Sequence, residues 1–168
     1  MEYWDLYDAN RRPLGRTHRR GQPLPDGAFF TAVAIWVVNS RREVLLTLRD
    51  PAKESWAGYW ENTGGAVQAG ESSLQAAVRE LREETGIRAR PEQLCFLGTS
   101  QPRHCFMDVY AVHADVPLDD IVLQKGETAD AQWVSLERLD QMAAAGQLAR
   151  PIVQRLHEMR GRLERFIG

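Results

Sequence analysis

The stretch from Gly65 to Ile87, GAVQAGESSLQAAVRELREETGI, decides the fold of this chain. From Glu71 to Thr85 the apolar residues recur with the 3.6-residue period of an amphipathic helix, and Gly86 stands where a helix C-cap belongs. The apolar stripe consists of Leu74, Ala77, Val78 and Leu81. The stretch therefore predicts a helix that packs one face on a core.

Three acids of this helix lie beside its apolar stripe. Glu80, Glu83 and Glu84 fall within about 100° of arc on an ideal helix. Because like charges at this spacing repel each other, and more so when partly desolvated, they need a counter-ion. Carboxylate oxygens suit Mg²⁺, which keeps several waters and shares its remaining positions with phosphate oxygens. On the helix alone, a solvated acidic face balanced by Arg79 and Arg82 is the competing interpretation.

Strand patterns flank the helix on both sides, and two further amphipathic helices close the chain. The strand candidates are Phe29 to Val38, Glu43 to Arg49, Leu94 to Thr99, Phe106 to His113 and Ala131 to Val134. The closing helices span about Leu136 to Ala145 and Pro151 to Phe166. This order predicts an α+β domain in α/β layers, with a mixed β-sheet sandwiched between helices.

The bulk composition favours a small-molecule partner. The 168 residues fit a single globular domain, and 21 basic against 23 acidic residues give a net charge of -2. No basic excess is present to hold a nucleic-acid backbone, so we expect no nucleic acid. No segment is apolar enough for a membrane span, and the first residues do not match a signal peptide, so a cytoplasmic protein is expected. Cys95 and Cys105 form no CxxC pair and are expected to be partly buried strand thiols.

The N-terminal segment differs from the rest in composition. We divide the chain into an extension of residues 1–27, packed on the domain, and the domain itself, residues 28–168. The stretch from Asn10 to Gly27 is rich in Arg, Gly and Pro and is predicted to be an ordered loop.

Nine positions in the central stretch match the Nudix pattern G-x5-E-x7-R-E-U-x-E-E-x-G-U at every specified residue. They are Gly65, Glu71, Arg79, Glu80, Leu81, Glu83, Glu84, Gly86 and Ile87. Segments on either side, Trp60 to Val67 and Trp133 to Glu137, also resemble the family, so the likeness covers roughly residues 28 to 145. The resemblance implies the Nudix fold and magnesium-dependent hydrolysis of the diphosphate linkage of a nucleoside diphosphate-type small molecule.

The same resemblance assigns the metal ligands. It implies Glu80, Glu83 and Glu84, with the Gly65 carbonyl as a further candidate, as ligands of Mg²⁺, for which Mn²⁺ is a substitute. Glu71 would reach the metal site more remotely, in a supporting role. Arg79 would orient the carboxylates through charge-assisted hydrogen bonds.

The glycines before the helix have two interpretations. Gly64 and Gly65 let the backbone pass close to a metal or phosphate, where a side chain would obstruct. A simple tight turn is the alternative.

The resemblance leaves the general base open between a box glutamate and an acid on a later loop. We rank Glu84 first and Glu127 second, with Asp130 on the same predicted loop. The proposed catalytic group thus comprises Glu80, Glu83, Glu84, Arg79 and Glu127.

Substrate contacts are expected from the loop before the box. Arg49 and Lys53 could clamp phosphate oxygens or be plain surface charges. Aromatic residues offer flat faces for a base, unless they belong to the core: Trp36, which we place in the substrate site, and Trp56, Tyr59 and Trp60.

Two other classes of protein compete with the hydrolase. Trp4 to Asn10 and Gly15 to His18 resemble the opening of isopentenyl-diphosphate isomerases. Those enzymes need a cysteine before the box, where Asn62 to Gly65 has none, and a histidine about where Phe30 stands, and they lack the full hydrolase box. A non-catalytic nucleotide sensor would have lost acids from the box, and none is missing. A homodimer is a mild preference, since the family often dimerises.

Overall fold

The computed structural model describes all 168 residues and contains nine strands and three helices. The strands are β1 (Tyr3–Tyr7), β2 (Pro13–Arg19), β3 (Phe30–Val38), β4 (Glu43–Arg49), β5 (Trp60–Glu61), β6 (Thr63–Ala66), β7 (Cys95–Ser100), β8 (Cys105–His113) and β9 (Thr128–Ser135). The helices are α1 (Ser73–Thr85), α2 (Leu136–Ala144) and α3 (Arg150–Ile167). None of the helices is long and apolar enough to cross a bilayer.

Seven of the strands form one mixed sheet that opens between β3 and β4. The order is β5-β4-β3-β8-β7, with β6 also paired to β3 and β9 also paired to β4. β3 runs parallel to β8 along its whole length, but it meets β4 only at the pair Val38 and Val44 beside the hairpin turn. Farther along, Ala32–Ile35 pairs with β6 instead. The two halves of the sheet therefore diverge, and β6 occupies the opening beside β3.

Helices cover both faces of the sheet, which confirms the predicted layered α+β architecture. α1 packs Ala76, Ala77 and Leu81 on Val33, Ile35, Val37, Leu45 and Val112. On the other face, α2 and α3 pack Leu139, Met142, Ile152, Leu156 and Leu163 on Trp36, Val38, Leu46, Val109 and Ala111. Each fully buried Leu, Ile or Val contributes about 1.5–3 kcal/mol to this burial.

Local signals fix both ends of α1. The Ser72 side chain accepts a hydrogen bond from the Gln75 backbone N–H, and the Gln75 side chain accepts one from the Ser72 N–H, which together form a capping box. At the other end, Gly86 has φ 75 and donates its N–H to the Arg82 carbonyl. The predicted C-cap is confirmed, but the helix begins at Ser73 rather than Glu71 because Ser72 is the N-cap.

The predicted loop from Asn10 to Gly27 is wrong in part, because β2 lies within it and pairs with β1. Six of the seven β2 residues are exposed, so no alternating apolar pattern marks the strand. β9 is also longer than predicted, since it pairs with the whole length of β4. Both cysteines lie in strands, as expected, but Cys95 is exposed and Cys105 is buried.

The N-terminal hairpin is held on the sheet by stacking and by a buried ion pair. The Trp4 ring stacks on Phe30 at 4.3 Å between centroids. Arg11 donates hydrogen bonds of 2.8 and 2.5 Å to the two oxygens of Asp108, which is 3% exposed and also accepts one from Thr99 at 2.7 Å. Burial opposes ionisation of Asp108, but the bonds from Arg11 and Thr99 prevail and hold its pKa below the ordinary value.

Asp108→Asn is expected to lower the free energy of unfolding by about 2 kcal/mol at pH 7. Because the folded-state pKa is depressed, the stabilisation is present above the unfolded pKa of about 3.9 and is lost as pH falls through the folded pKa. Urea unfolding of both proteins at pH 7 and at acid pH measures this difference. Equal stability at pH 7 would contradict the role of this ion pair.

Candidate active site

A polar cleft of about 290 Å³ lies between α1, β6, the end of β4 and the surrounding loops. Its walls carry Glu2, Arg20, Arg49, Lys53, Gly64, Gly65, Ala66, Gln68, Arg79, Glu80, Glu83, Glu84, Gln124 and Glu127. A larger surface hollow of about 790 Å³ lies at the turn after β3, but none of the box residues contributes to it. We therefore place the site in the smaller cleft, where charged groups converge.

Arg79 is the centre of the polar network. Its guanidinium donates to both oxygens of Glu71 at 2.9 Å, to Glu80 at 2.7 Å and to Glu83 at 3.2 Å. It also donates to the Ala66 carbonyl of β6 at 3.0 Å. The hydrogen bonds with Glu71, followed by those with Glu80, raise the pKa of Arg79. Arg79 thus ties α1 to β6 and holds several box carboxylates, a geometry that suits the predicted orienting role.

Glu84 differs from the other box acids because it forms no ion pair. Its one hydrogen bond is accepted from the Gly64 backbone N–H at 3.1 Å. Burial raises the pKa of Glu84 well above its ordinary value, and the neighbouring carboxylates of Glu61 and Glu80 raise it further. Burial likewise raises the pKa of Glu80, although Arg79 opposes this shift. The floor of the cleft is therefore short of positive charge at Glu84.

The donor set fits a hard divalent cation, although no ready-made cage is present. No group of three or more His, Cys, Asp or Glu side chains converges on a common point. Arg79 accounts for this, since it draws Glu80 and Glu83 towards itself. Glu84 remains a carboxylate without a cation, and all available ligands are oxygens, the type that Mg²⁺ prefers. Such a cation would relieve the repulsion that raises the pKa of Glu84.

Two glycines of β6 are required for close approach rather than for a turn. A Cβ on Gly65 would lie 2.3 Å from the carboxyl carbon of Glu80, and a Cβ on Gly64 would lie 2.3 Å from the Val33 carbonyl oxygen. Both glycines belong to a strand and neither has a positive φ. The alternative of a simple tight turn is therefore wrong.

Arg49, the last residue of β4, and Lys53, in the loop after it, line the cleft and form ion pairs. Lys53 contacts the carboxylate of Glu127, and Arg49 binds Glu61 at 2.8 Å and the Ser55 carbonyl at 3.0 Å. Glu127 precedes β9, as the loop hypothesis requires. Arg49, Lys53 and Glu127 are thus brought to the same cleft as the box acids.

Three predicted positions need correction or restriction. Trp36 is 1% exposed and packs under α2 and α3, so it has no face free for a substrate. Asp130 is an exposed residue within β9 and does not line the cleft, so it is not on the predicted loop. Glu71 has its oxygens engaged by Arg79 and by the Gln68 N–H, which leaves it beside the cleft rather than in it. Its geometry suits a supporting role, through Arg79.

No local pattern in the sequence predicts that the N-terminal hairpin, formed by β1 and β2, contributes to the cleft. Arg20 and Glu2 form an ion pair at 2.6 Å at the rim of the cleft. Gln68 and Gln124 complete the wall. Only the docking of the hairpin on the domain brings Arg20 and Glu2 there.

Comparison with known proteins identifies the family of this chain. The model of the NUDIX domain matches residues 28–156. An uncharacterized Nudix hydrolase from Listeria monocytogenes is 35% identical over 148 residues, which is 88% of each chain. The chain therefore belongs to the Nudix hydrolase family, and within it to the pyrophosphohydrolases.

Relatives of a second class are more distant. The isopentenyl-diphosphate Delta-isomerase of Escherichia coli is 27% identical over 80% of this chain and 78% of its own.

A crystal structure from Deinococcus radiodurans, DR0079, superposes with a TM-score of 0.80 at 22% identity and covers 94% of this chain and 99% of the other. This likeness confirms the expected fold.

Proposed function

We propose that this protein hydrolyses the P–O–P linkage of a nucleoside diphosphate-type small molecule and depends on Mg²⁺, with Mn²⁺ as a substitute. The observation that carries the proposal is Glu84, a carboxylate without a cation, set among Glu80, Glu83 and the glycines of β6 in a polar cleft. Basic side chains at the rim add the charge that a diphosphate needs.

The residues of the cleft have two roles, which are to bind the metal ion and to accept a proton from the attacking water. Glu80, Glu83 and Glu84, with the Gly65 carbonyl, would hold the ion. When bound, Mg²⁺ supplies charge neutralisation at the phosphate oxygens and acidity to a water molecule. Glu84, ranked first among the candidate bases, would accept a proton from the attacking water. The water oxygen bonds to phosphorus as the bridging P–O bond breaks, so no covalent intermediate with the protein is needed.

The cations at the rim bind phosphate oxygens. Arg49, Lys53 and Arg20 are each paired with a glutamate in this structure, and each can exchange that partner for phosphate. Arg79 remains with the box acids, because its five N–H groups are already engaged there and at Ala66.

Glu127→Gln tests the ranking of the two candidate bases. We expect kcat to fall less than about tenfold, because Glu127 neutralises Lys53 at the rim rather than accepting the proton of the attacking water. Steady-state kinetics of the variant, beside Glu92→Gln as an exposed control, measure the effect. A loss of kcat as large as that of Glu84→Gln would make Glu127 the base.

A substrate panel tests the proposed function. Nucleoside di- and triphosphates, nucleotide sugars, dinucleotide polyphosphates and isopentenyl diphosphate are each incubated with Mg²⁺ or with EDTA. We expect metal-dependent release of phosphate or a nucleotide from at least one compound. Double-bond migration in isopentenyl diphosphate without phosphate release would instead show an isomerase. Tight nucleotide binding without turnover of any compound would show a sensor.

A further inference from the structure

A second cavity of about 200 Å³ lies on the far side of the β6 glycines from α1. It shares Gly64 and Gly65 with the catalytic cleft as a common wall. The other walls come from the start of α3 and from the loop before β5. We call it the α3 cavity. A substrate whose diphosphate lies in the cleft could extend past the glycines into this space, since no side chain projects from them.

Arg155 of α3 lines this cavity and has no partner in the protein. It is 8% exposed, and no hydrogen bond or ion pair links its guanidinium to another group. Its neighbouring acid, Glu61, is already paired with Arg49 at 2.8 Å. A buried guanidinium without an acceptor is unfavourable, so Arg155 is poised to donate hydrogen bonds to an occupant of the cavity.

Asn62 is a second buried polar residue in the wall of this cavity. Its amide nitrogen donates to the Ile35 carbonyl at 3.3 Å, while its carbonyl oxygen has no partner. Asn62 is 3% exposed, so bulk water does not readily satisfy this oxygen. The α3 cavity therefore presents one strong donor, Arg155, while the unpaired Asn62 oxygen is covered within its wall.

The remaining walls are largely apolar and aromatic. Val33, Met107, Ala149, Pro151 and Ile152 surround the polar pair. Trp56 also lines the cavity and is 39% exposed, which leaves its indole accessible to a ligand. Such walls suit a flat organic ring better than a hydrated phosphate.

We propose that the α3 cavity binds the nucleobase of the substrate, with Arg155 as the hydrogen-bond donor and Trp56 as the aromatic face that recognise the base. The inference rests on the proposed function, since it places the base relative to a diphosphate in the cleft. The edge of a nucleobase carries a carbonyl or ring-nitrogen acceptor for Arg155. A phosphate would place its charge near Glu61 and among largely apolar walls, so the base is the better occupant.

Calorimetric titration separates base recognition from phosphate binding. The methylene-bridged analogues of ADP, GDP, CDP, UDP and pyrophosphate, which resist hydrolysis, are titrated with Mg²⁺ into the wild-type protein and into Arg155→Met. We expect Arg155→Met to weaken binding of the preferred nucleotide about 10- to 100-fold and that of pyrophosphate less than about twofold. Arg165→Met, at an exposed position of α3, is the matched control and is expected to change neither.

Trp56→Ala provides a second variant at an exposed residue, where misfolding is not expected. It should weaken nucleotide binding about tenfold and spare pyrophosphate. The inference would be overturned if a variant lost nucleotide and pyrophosphate binding equally, or if neither variant weakened nucleotide binding. It would also be overturned if no nucleotide bound more tightly than pyrophosphate. Hydrolysis by the wild-type protein is measured beside these titrations, so failure of base recognition is distinguishable from absence of the activity.

Discussion

Replacing Glu84 by Gln is expected to lower kcat for diphosphate hydrolysis by about 1,000-fold or more. The substitution preserves the size of the side chain and its ability to accept the hydrogen bond from Gly64, but it removes the charge that would hold Mg²⁺ and accept a proton. Steady-state kinetics with saturating Mg²⁺ measure the loss.

The same variant should be more stable than the wild-type protein in the absence of metal. Burial and the carboxylates of Glu61 and Glu80 raise the pKa of Glu84, so its charged form is unfavourable in the folded state at pH 7. Removing that charge is expected to raise the free energy of unfolding at pH 7, as measured by urea unfolding in EDTA. A loss of activity that accompanies lower stability would instead assign Glu84 a structural role.

Gly65→Ala is expected to lower kcat/KM about 100-fold while leaving the fold intact. The added Cβ would lie 2.3 Å from the carboxyl carbon of Glu80, the far end of a flexible side chain that can move aside. The movement displaces one predicted metal ligand from its place beside Arg79. Kinetics and calorimetric Mg²⁺ titration measure the two consequences.

Gly64→Ala is the matched comparison for this variant. There the added Cβ meets the Val33 carbonyl oxygen of the backbone, so β6 and β3 must separate and thermal stability should fall. Wild-type activity in Gly65→Ala would show that close approach to Glu80 is unimportant. A melting temperature lowered as much as that of Gly64→Ala would show that Gly65 serves the fold.

The sequence predicted the parts of the structure that rest on local signals. Helical periodicity and the Gly86 cap located α1, and the spacing of Glu80, Glu83 and Glu84 placed three carboxylates together on it. The helical periodicity of the sequence does not show which carboxylates Arg79 binds or which carboxylate lacks a partner. The isolation of Glu84 from any cation therefore became visible only in three dimensions.

Features set by distant contacts were missed or misjudged. β2 carries few apolar residues because its hairpin exposes most of it, so it resembled a loop. The sequence shows that Trp36 lies in a strand, but it does not show which face of the sheet the side chain is on or what covers it. In the structure α2 and α3 cover the Trp36 side chain, so the predicted substrate contact is wrong. In the sequence, Arg155 cannot be distinguished from the other charged residues of the amphipathic helix α3. The structure distinguishes it because its side chain is buried and lines the cavity beside the β6 glycines.

We propose a division of the chain at residue 28, between the N-terminal extension and the domain. The N-terminal hairpin forms its own two-stranded sheet, yet Arg20 and Glu2 reach the cleft, so the segment is part of the functional unit. A homodimer, a cytoplasmic location and the absence of a nucleic-acid partner stay predictions.

Hydrolysis in ¹⁸O-labelled water tests the central claim most directly. The preferred diphosphate substrate is incubated with the wild-type protein in H₂¹⁸O, with Mg²⁺ or with EDTA, and the products are analysed by mass spectrometry. The account predicts one solvent ¹⁸O atom in one phosphate-bearing product with Mg²⁺, and no product with EDTA. Products without label at phosphorus, or turnover unaffected by EDTA, would contradict it.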